Sequence, residues 1–145
     1  MAEDERRIEE VLVSDIMTSQ VVTAKPEESI VDAAKKMAEN GVGSLVIVDD
    51  KGYVLGIITE GDIVRRVVAA GKDPASIRVG EVMTTNPVTI FEDATIAAAA
   101  ELMKRKNIGH LPVVSSSGRL VGIVSRTDIV RIAPSFIELL WLRGS

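Results

Sequence analysis

Residues 42–62 read VGSLVIVDDKGYVLGIITEGD, and residues 108–128 read IGHLPVVSSSGRLVGIVSRTD. Each stretch holds two apolar runs on either side of a short polar turn that contains a glycine. Runs of this length, rich in valine and isoleucine, are typical of buried β-strands. Each stretch then ends in a hydroxyl residue with an aspartate three positions later, which predicts the start of a helix.

The two stretches belong to an internal repeat with one constant offset of 66 positions. Self-similarity at a fixed spacing indicates a tandem duplication. The matching pairs include Met17 and Met83, Val22 and Val88, Thr23 and Thr89, Ile30 and Ile96, Met37 and Met103, Gly43 and Gly109, Gly56 and Gly122, and Asp62 and Asp128. We therefore expect two structural units of the same fold.

An amphipathic helix is predicted ahead of the two strands in each copy. Ser29 and Thr95 are residue types that cap helix starts, and Gly41 stands where a helix-ending glycine is common. Apolar residues then follow at the i, i+3, i+4 and i+7 positions of one helical face. They are Ile30, Ala33, Ala34 and Met37 in the first copy, and Ile96, Ala99, Ala100 and Met103 in the second. With a short strand ahead, each copy predicts the order β-α-β-β-α.

The predicted fold class is α/β, of the α+β type, and the chain is expected to divide at the repeat boundaries. A small sheet with helices on one side leaves apolar surface uncovered, so the two repeats are expected to pack together. Pro112 predicts a strand start or a sheet edge, because proline cannot donate to a β-ladder. The predicted segments are a charged N-terminal segment (1–10) expected as a surface helix, repeat 1 (11–70), a linker (71–77), repeat 2 (78–132) and an apolar C-terminal tail (133–145).

The composition argues against several classes of function. The chain has 145 residues, a net charge of −4 and no cysteine. An acidic chain lacks the basic field that nucleic acids require, and without cysteine there are no disulfides, thiol catalysis or thiolate metal sites. The apolar runs are far shorter than the ~20 residues of a membrane helix, and no signal peptide is recognisable. We expect a cytoplasmic protein with neither a nucleic-acid nor a membrane partner.

The whole pattern resembles a pair of CBS domains, the family named after cystathionine β-synthase. The residues that carry the resemblance are SDIMT (14–18) and GEVMT (80–84) ahead of the two copies, and GIITEGD (56–62) and GIVSRTD (122–128) within them. The resemblance covers roughly residues 11–132. It implies two repeats packed with pseudo-twofold symmetry, two clefts that bind adenosine-containing ligands, and association of the module into a homodimer.

Two roles are open for the acid that ends each repeated heptapeptide. Thr59 with Asp62, and Ser125 with Asp128, have the spacing of a capping box, in which the acid stabilises a helix start. The same carboxylate can accept hydrogen bonds from both hydroxyls of a ribose, because an ionised carboxylate is a pure acceptor. The hydroxyl residue and the free N–H groups of the helix start can face a phosphate. The two roles can coexist.

The resemblance also implies which residues share a cleft. One cleft is expected to use Asp15, Gln20, Val42 and Gly43 together with Ser125 and Asp128. The other is expected to use Glu81, Asn86, Ile108 and Gly109 together with Thr59 and Asp62. The chain has Gly43-Ser44 and Gly109-His110 where some family members carry a His-Arg pair that meets phosphates.

The two copies differ in charge beside the expected phosphate position. Arg126 in the second copy replaces Glu60 of the first, so the second heptapeptide is the better phosphate partner. His110 is the only histidine and either contacts a phosphate or lies at the strand entrance. Arg65 and Arg131 recur at one helical position, where solvated or interface charges are the more common outcome.

The function that we expect is a non-enzymatic regulatory module for energy sensing, which binds AMP, ADP or ATP and acts on an unidentified protein. No nucleophile–base pair, metal constellation or phosphate-binding glycine loop is visible, and no obligatory cofactor is implied. The alternatives are a structural or dimerisation module without nucleotide, and a sensor of S-adenosylmethionine or NAD. An enzyme fragment is the third possibility. The tail residues Phe136, Ile137, Leu140 and Trp141 either fold back on the module or contact a partner.

Overall fold

The computed structural model describes residues 8–142, with only the backbone described for Leu142. Most of the expected N-terminal surface helix lies outside the described residues, and residues 8–10 are helical. A π-helical turn (Val64–Val68) continues the helix at Glu60–Ile63, and a 3-10 turn (Pro134–Phe136) and a second π-helical turn (Glu138–Leu142) follow the helix at Arg126–Ile132. The elements from Val13 onward are, in chain order, α1 (Val13–Ile16), β1 (Thr23–Ala24), α2 (Ile30–Asn40), β2 (Ser44–Val48), β3 (Val54–Thr59), α3 (Glu60–Ile63), α4 (Val79–Val82), β4 (Thr84–Thr85), β5 (Ile90–Phe91), α5 (Ile96–Lys106), β6 (His110–Val114), β7 (Leu120–Ser125) and α6 (Arg126–Ile132).

The chain forms two compact units. The Asp62 unit contains residues 20–87 and 118–120, and the Asp128 unit contains residues 8–19, 88–117 and 121–142. The predicted mixed α/β class is confirmed, since each unit holds helices and one small sheet. Within the described part of the chain, no helix is both long and apolar enough to cross a membrane.

The sheet of the Asp62 unit has four strands in the order β1-β2-β3-β4. Strand β1 is parallel to β2, and β2 and β3 form the antiparallel pair that the repeated stretch predicted. Strand β4 pairs with β3 through Gly56 with Thr85 and Ile57 with Thr84. Because β4 lies near the start of repeat 2 (78–132), the sheet of the first repeat takes its last strand from the segment that leads the second.

The Asp128 unit repeats this arrangement with strands β5, β6 and β7. Here Thr18 forms a single antiparallel bridge with Ile123, which is the counterpart of the bridge between Thr84 and Ile57. Residues 8–19, which lead the first repeat, therefore belong to the unit of the second repeat. Each unit is completed by a leading segment that is closer in sequence to the other repeat.

The predicted caps are present, and most residues of the two predicted apolar faces are buried in the cores. Ala34, which the sequence placed on the apolar face of α2, is exposed. The hydroxyl oxygens of Ser29 and Thr95 accept hydrogen bonds from the backbone N–H groups of Asp32 and Ala98, both at 3.1 Å. Gly41 ends α2 with φ of 64°, a left-handed conformation that glycine adopts without strain. The buried core of the Asp62 unit includes Ile30, Ala33, Met37, Leu45, Ile47 and Ile58, and that of the Asp128 unit includes Ala99, Ala100, Met103, Leu111, Val113 and Val124.

The prediction that Pro112 marks a strand start or a sheet edge is wrong. Pro112 is buried in the middle of β6, which is the central strand of its sheet. The equivalent residue of the first repeat, Val46, donates its N–H to the carbonyl oxygen of Val22 at 3.4 Å. Proline has no N–H, and the β5–β6 pairing begins one residue later, at Val113. The sheet accommodates the proline by shortening that ladder.

We predict that Gly56→Ala destabilises the protein through the contact between β3 and β4. A β-carbon at Gly56 would lie 2.8 Å from the carbonyl oxygen of Thr84 and 2.5 Å from Sδ of Met83. The carbonyl is part of the backbone of β4 and cannot move without disturbing the strand pairing. We expect a loss of about 1–3 kcal/mol in the free energy of unfolding, as for other overpacked sites, measured by urea denaturation.

Gly61→Ala is the matched control. A β-carbon there would meet Nη1 of Arg65 at 2.7 Å, and this atom ends a long, exposed side chain that can move. Alanine favours a helix over glycine by up to about 1 kcal/mol, so the variant should be neutral or more stable. Equal losses in the two variants would contradict the assignment of the cost to the backbone of β4.

Candidate functional site

The structure shows that Thr59 and Asp62 of the first heptapeptide form a capping box at the start of α3. The backbone N–H of Thr59 donates to Oδ2 of Asp62 at 2.9 Å, and the backbone N–H of Asp62 donates to Oγ1 of Thr59 at 3.1 Å. Nη2 of Arg65, one helical turn further on, lies 3.4 Å from Oδ1 of Asp62. The Asp62 side chain is only 7% exposed, so these contacts compensate an acid that is nearly buried.

The second heptapeptide has the same geometry with a more open carboxylate. The backbone N–H of Ser125 donates to Oδ2 of Asp128 at 2.9 Å, and the backbone N–H of Asp128 donates to Oγ of Ser125 at 3.2 Å. Nη1 of Arg131 is 3.8 Å from Oδ1 of Asp128, and the Asp128 side chain is 20% exposed. The Oδ1 atom of Asp128 is thus less tightly held and more accessible than that of Asp62.

Sequence reasoning did not foresee the ion pairs of Arg65 and Arg131. Both arginines were expected as solvated or interface charges, yet each approaches the aspartate three residues before it. The signal was present in the sequence, because residues three apart on a helix lie on the same face and opposite charges there attract. Each arginine side chain is 69% exposed, so the ion pair leaves most of the guanidinium open to solvent.

Asp15 and Glu81, which the resemblance assigned to ligand binding, also cap helices. The backbone N–H of Leu12 donates to Oδ2 of Asp15 at 2.9 Å, and the backbone N–H of Arg78 donates to Oε2 of Glu81 at 2.8 Å. The two acids occupy equivalent positions of the repeat, at the third residue of α1 and α4. Both capped backbone groups are exposed, so these carboxylates lie at the surface of their units.

The residue after each capping hydroxyl forms a backbone hydrogen bond with the glycine that precedes the central strand of its sheet. The backbone N–H of Glu60 donates to the carbonyl oxygen of Gly43, and that of Arg126 donates to the carbonyl oxygen of Gly109, both at 3.0 Å. The charged ends of the Glu60 and Arg126 side chains lie over these same two glycines. A β-carbon at Gly43 would lie 2.9 Å from Oε1 of Glu60, and one at Gly109 would lie 3.4 Å from Cζ of Arg126.

The C-terminal tail folds back on the Asp128 unit and reaches this position. Leu140 is buried in the core of that unit, and Phe136 packs against the core as well. The guanidinium of Arg126 lies over the ring of Trp141, 5.9 Å from its centroid, at a distance typical of a cation–π contact. The sequence showed the apolar character of the tail, but this contact depends on the tertiary fold.

The remaining expected site residues are distributed between the two units. Val42 and Ile108 are partly buried beside their cores, Asn86 has a left-handed backbone with φ of 47°, and His110 is the half-buried first residue of β6. Gln20, Val42, Gly43, Thr59, Asp62, Glu81 and Asn86 lie in the Asp62 unit, and Asp15, Ile108, Gly109, His110, Ser125, Arg126 and Asp128 lie in the Asp128 unit. The expected pairing of Gly43 with Asp128, and of Gly109 with Asp62, joins residues of different units and stays a prediction.

Within residues 8–142, no group of three or more histidine, aspartate or glutamate residues is arranged to hold a metal ion. An open cavity of about 590 Å³ in the Asp128 unit is lined by Ser14, Phe91, Glu92, Asp93 and Ser116, and includes none of the expected ligand-binding residues.

Comparison with known proteins identifies the family. A model of the CBS domain matches residues 13–69 and 79–135. The chain belongs to the CBS domain family. An uncharacterized protein of Methanopyrus kandleri is 39% identical over 127 residues, which is 88% of this chain. The CBS pair described here spans 65% of the length of that relative.

Two solved structures similar to this CBS pair contain adenosine derivatives. The CBS domain pair of protein MJ0100, in complex with 5-methylthioadenosine and S-adenosyl-L-methionine, is 36% identical with a TM-score of 0.78, and the match covers 86% of this chain and 97% of that one. CBSX2 of Arabidopsis thaliana, in complex with AMP, is 27% identical with a TM-score of 0.73 and the same coverage. The predicted pair of CBS repeats is therefore confirmed.

We predict that the two capping aspartates differ in what they contribute to stability. Asp62→Ala should lower the free energy of unfolding by about 2 kcal/mol, because it removes a nearly buried carboxylate and leaves the part-buried N–H of Thr59 without its acceptor. Asp128→Ala should cost about 1 kcal/mol, since its more open helix start can be hydrated. Both values can be measured by urea denaturation.

Asp32→Ala is the control, because Asp32 is an exposed acid in the first turn of α2. It should cost no more than about 0.5 kcal/mol, the usual effect of an exposed charge near a helix start. A loss for Asp62→Ala no greater than that for Asp32→Ala would show that the cap of α3 contributes little.

Proposed function

We propose that this CBS pair is a non-enzymatic regulatory module that binds an adenosine-containing ligand through Asp62 and Asp128. The observation that carries the proposal is the duplicated carboxylate, held in place at each strand-to-helix junction by a capping box and an arginine. Support comes from two solved relatives that contain AMP, or 5-methylthioadenosine with S-adenosyl-L-methionine. All of these ligands share a ribose whose hydroxyls an aspartate can bind.

Each aspartate has acceptor capacity left after capping its helix. An ionised carboxylate offers about four lone-pair positions on its two oxygens. In Asp128 the backbone N–H of Ser125 takes one position on Oδ2, and Arg131 approaches Oδ1 only to 3.8 Å. The remaining positions suit the two hydroxyls of a ribose. Capping and binding are therefore compatible roles for the same side chain.

The ligand that we propose is AMP, ADP or ATP, which would make the module a sensor of cellular energy state acting on a protein partner. Arg126 supports a phosphate-bearing ligand, because its guanidinium matches the charge and hydrogen-bonding geometry of a phosphate. The alternatives are S-adenosylmethionine or NAD as the ligand, and a structural or dimerisation module that binds no nucleotide. A ligand panel separates these possibilities.

We expect AMP, ADP or ATP to raise the melting temperature of the wild-type protein. A ligand at 100 times its dissociation constant contributes about 2.7 kcal/mol of stability. In calorimetry, Asp128→Ala should weaken one class of site at least tenfold, and Asp62→Ala should weaken the other. Each variant removes charge-assisted hydrogen bonds worth roughly 1.5–3 kcal/mol, while a tenfold change needs only about 1.4 kcal/mol.

Asp32→Ala again serves as the control and should leave binding unchanged. Unaltered affinity and stoichiometry in both Asp62→Ala and Asp128→Ala would refute the binding role of these aspartates. No thermal shift with AMP, ADP, ATP, S-adenosylmethionine, 5-methylthioadenosine or NAD would favour the structural module instead.

We also propose that the CBS pair forms a homodimer through exposed apolar helix surfaces. In the Asp62 unit, Val64 and Val68 lie one helical turn apart and are 58% and 64% exposed. In the Asp128 unit, Ile132, Ile137 and Trp141 are each between 44% and 46% exposed. Clusters of large apolar side chains of this kind commonly mark protein interfaces. A second copy of the chain is the partner that presents matching surfaces by symmetry.

We predict that wild-type protein sediments as a dimer at tens of micromolar and that Val68→Arg shifts it toward a 15.5 kDa monomer. A charge in a desolvated apolar contact is costly, so the dissociation constant should rise at least tenfold. Glu39→Arg, which changes an exposed residue of α2, is the control and should leave the dimer intact. A wild-type protein that is monomeric at this concentration would rule out the proposed dimer.

A further inference from the structure

We propose that Glu60 and Arg126 give the two heptapeptides opposite preferences for the charge of an adenosyl ligand. The Arg126 site selects a ligand whose 5′ end is an anionic phosphate. The Glu60 site disfavours phosphate and prefers a ligand whose 5′ end is a cationic sulfonium. This inference rests on the proposed function and extends it from one ligand class to two.

The two sites share the same backbone arrangement, so the charged side chain is the clear difference between them. Glu60 and Arg126 are equivalent residues of the repeat, and each donates its N–H to the strand-start glycine at 3.0 Å. Their side chains start from the same place and run in the same direction, over Gly43 and Gly109. The carboxylate of one unit thus stands where the guanidinium of the other stands.

The other charged groups around the capping acids do not cancel this difference. Each aspartate is accompanied by an arginine three residues later, Arg65 in one unit and Arg131 in the other. The positive charge of this arginine is therefore the same in both sites. The exchange of Glu60 for Arg126 therefore leaves a difference of two unit charges between the sites. The exchanged residue directly follows Thr59 or Ser125, the hydroxyl residue that would face the 5′ substituent of the ligand.

The accessibility of both charged groups fits a role in recognition. Glu60 is exposed, and Arg126 is half-buried with its guanidinium over Trp141. The ring limits the conformations of Arg126 and lowers the entropic cost of holding it near a ligand. A cation in the first turn also opposes the helix dipole, so Arg126 is not explained by helix stability. Glu60, in contrast, is an acid in the first turn of α3, where the helix dipole favours a negative charge.

The test exchanges the two charges and measures binding of three probes with the same adenosine group. AMP carries an anionic 5′ end, 5′-methylthioadenosine an uncharged one, and S-adenosylmethionine a cationic sulfonium. Titration calorimetry at low ionic strength is carried out on Arg126→Glu and Glu60→Arg. Repeating it in the Asp62→Ala and Asp128→Ala backgrounds assigns each affinity to one aspartate.

We expect Arg126→Glu to weaken AMP at least tenfold at the Asp128 site, which corresponds to about 1.4 kcal/mol. Glu60→Arg should strengthen AMP and weaken S-adenosylmethionine at the Asp62 site by a similar factor. 5′-Methylthioadenosine should change less than about threefold in either variant, because it carries no charge at its 5′ end. Added salt should reduce the differences for the charged probes.

Conservative variants protect the test against a folding defect. Arg126→Lys keeps the charge and should retain most of the AMP affinity. Arg126→Gln removes the charge and should lose that affinity. Binding of 5′-methylthioadenosine reports that each variant is folded. Unchanged AMP affinity in Arg126→Glu, with binding still lost in Asp128→Ala, would overturn this inference and leave the proposed function standing. If none of the three probes binds wild-type protein, this inference fails, and the proposed function is then decided by the full ligand panel that includes ADP, ATP and NAD.

Discussion

The fold depends on backbone pairing between each repeat's sheet and a short leading segment that belongs to the other repeat in sequence. Thr84 pairs with Ile57 in one unit, and Thr18 pairs with Ile123 in the other. These contacts cover strand edges that would otherwise leave unpaired N–H and C=O groups. Gly56 and Gly122 make the approach possible, because methionine and backbone atoms of the leading segment lie where a β-carbon would be. Neither repeat is therefore a complete structural unit by itself.

The same constraint explains how the acidic residues of the repeat are used. Each leading segment carries a short helix whose third residue, Asp15 or Glu81, caps its own start. Each repeat also carries a cap at the strand-to-helix junction, made by Asp62 or Asp128. Structural capping and ligand binding make compatible demands on these aspartates, because both require an ionised carboxylate in a defined orientation. The capping role alone makes these aspartates costly to replace.

Duplication provided two frameworks of the same geometry, and a few substitutions then made them unequal. Glu60 and Arg126 differ in charge while their backbone hydrogen bonds are the same. Asp128 is more exposed than Asp62, and only the Asp128 unit has a tail that places an aromatic ring beside its charged residue. Under the function proposed above, two unlike sites would let the module respond to two different ligands.

The sequence by itself determined the repeat, the class of fold, the helix caps at Ser29 and Thr95 and the four acids of the candidate sites. Those features are local, because they follow from side-chain chemistry at fixed spacing along one segment. The tertiary structure decided which leading segment completes which sheet, how Pro112 is accommodated in a central strand and where Arg126 meets Trp141. Local pattern could not supply these outcomes, because the paired groups are far apart in the chain. Their pairing depends on hydrogen-bond registration and packing that exist only once the units have formed.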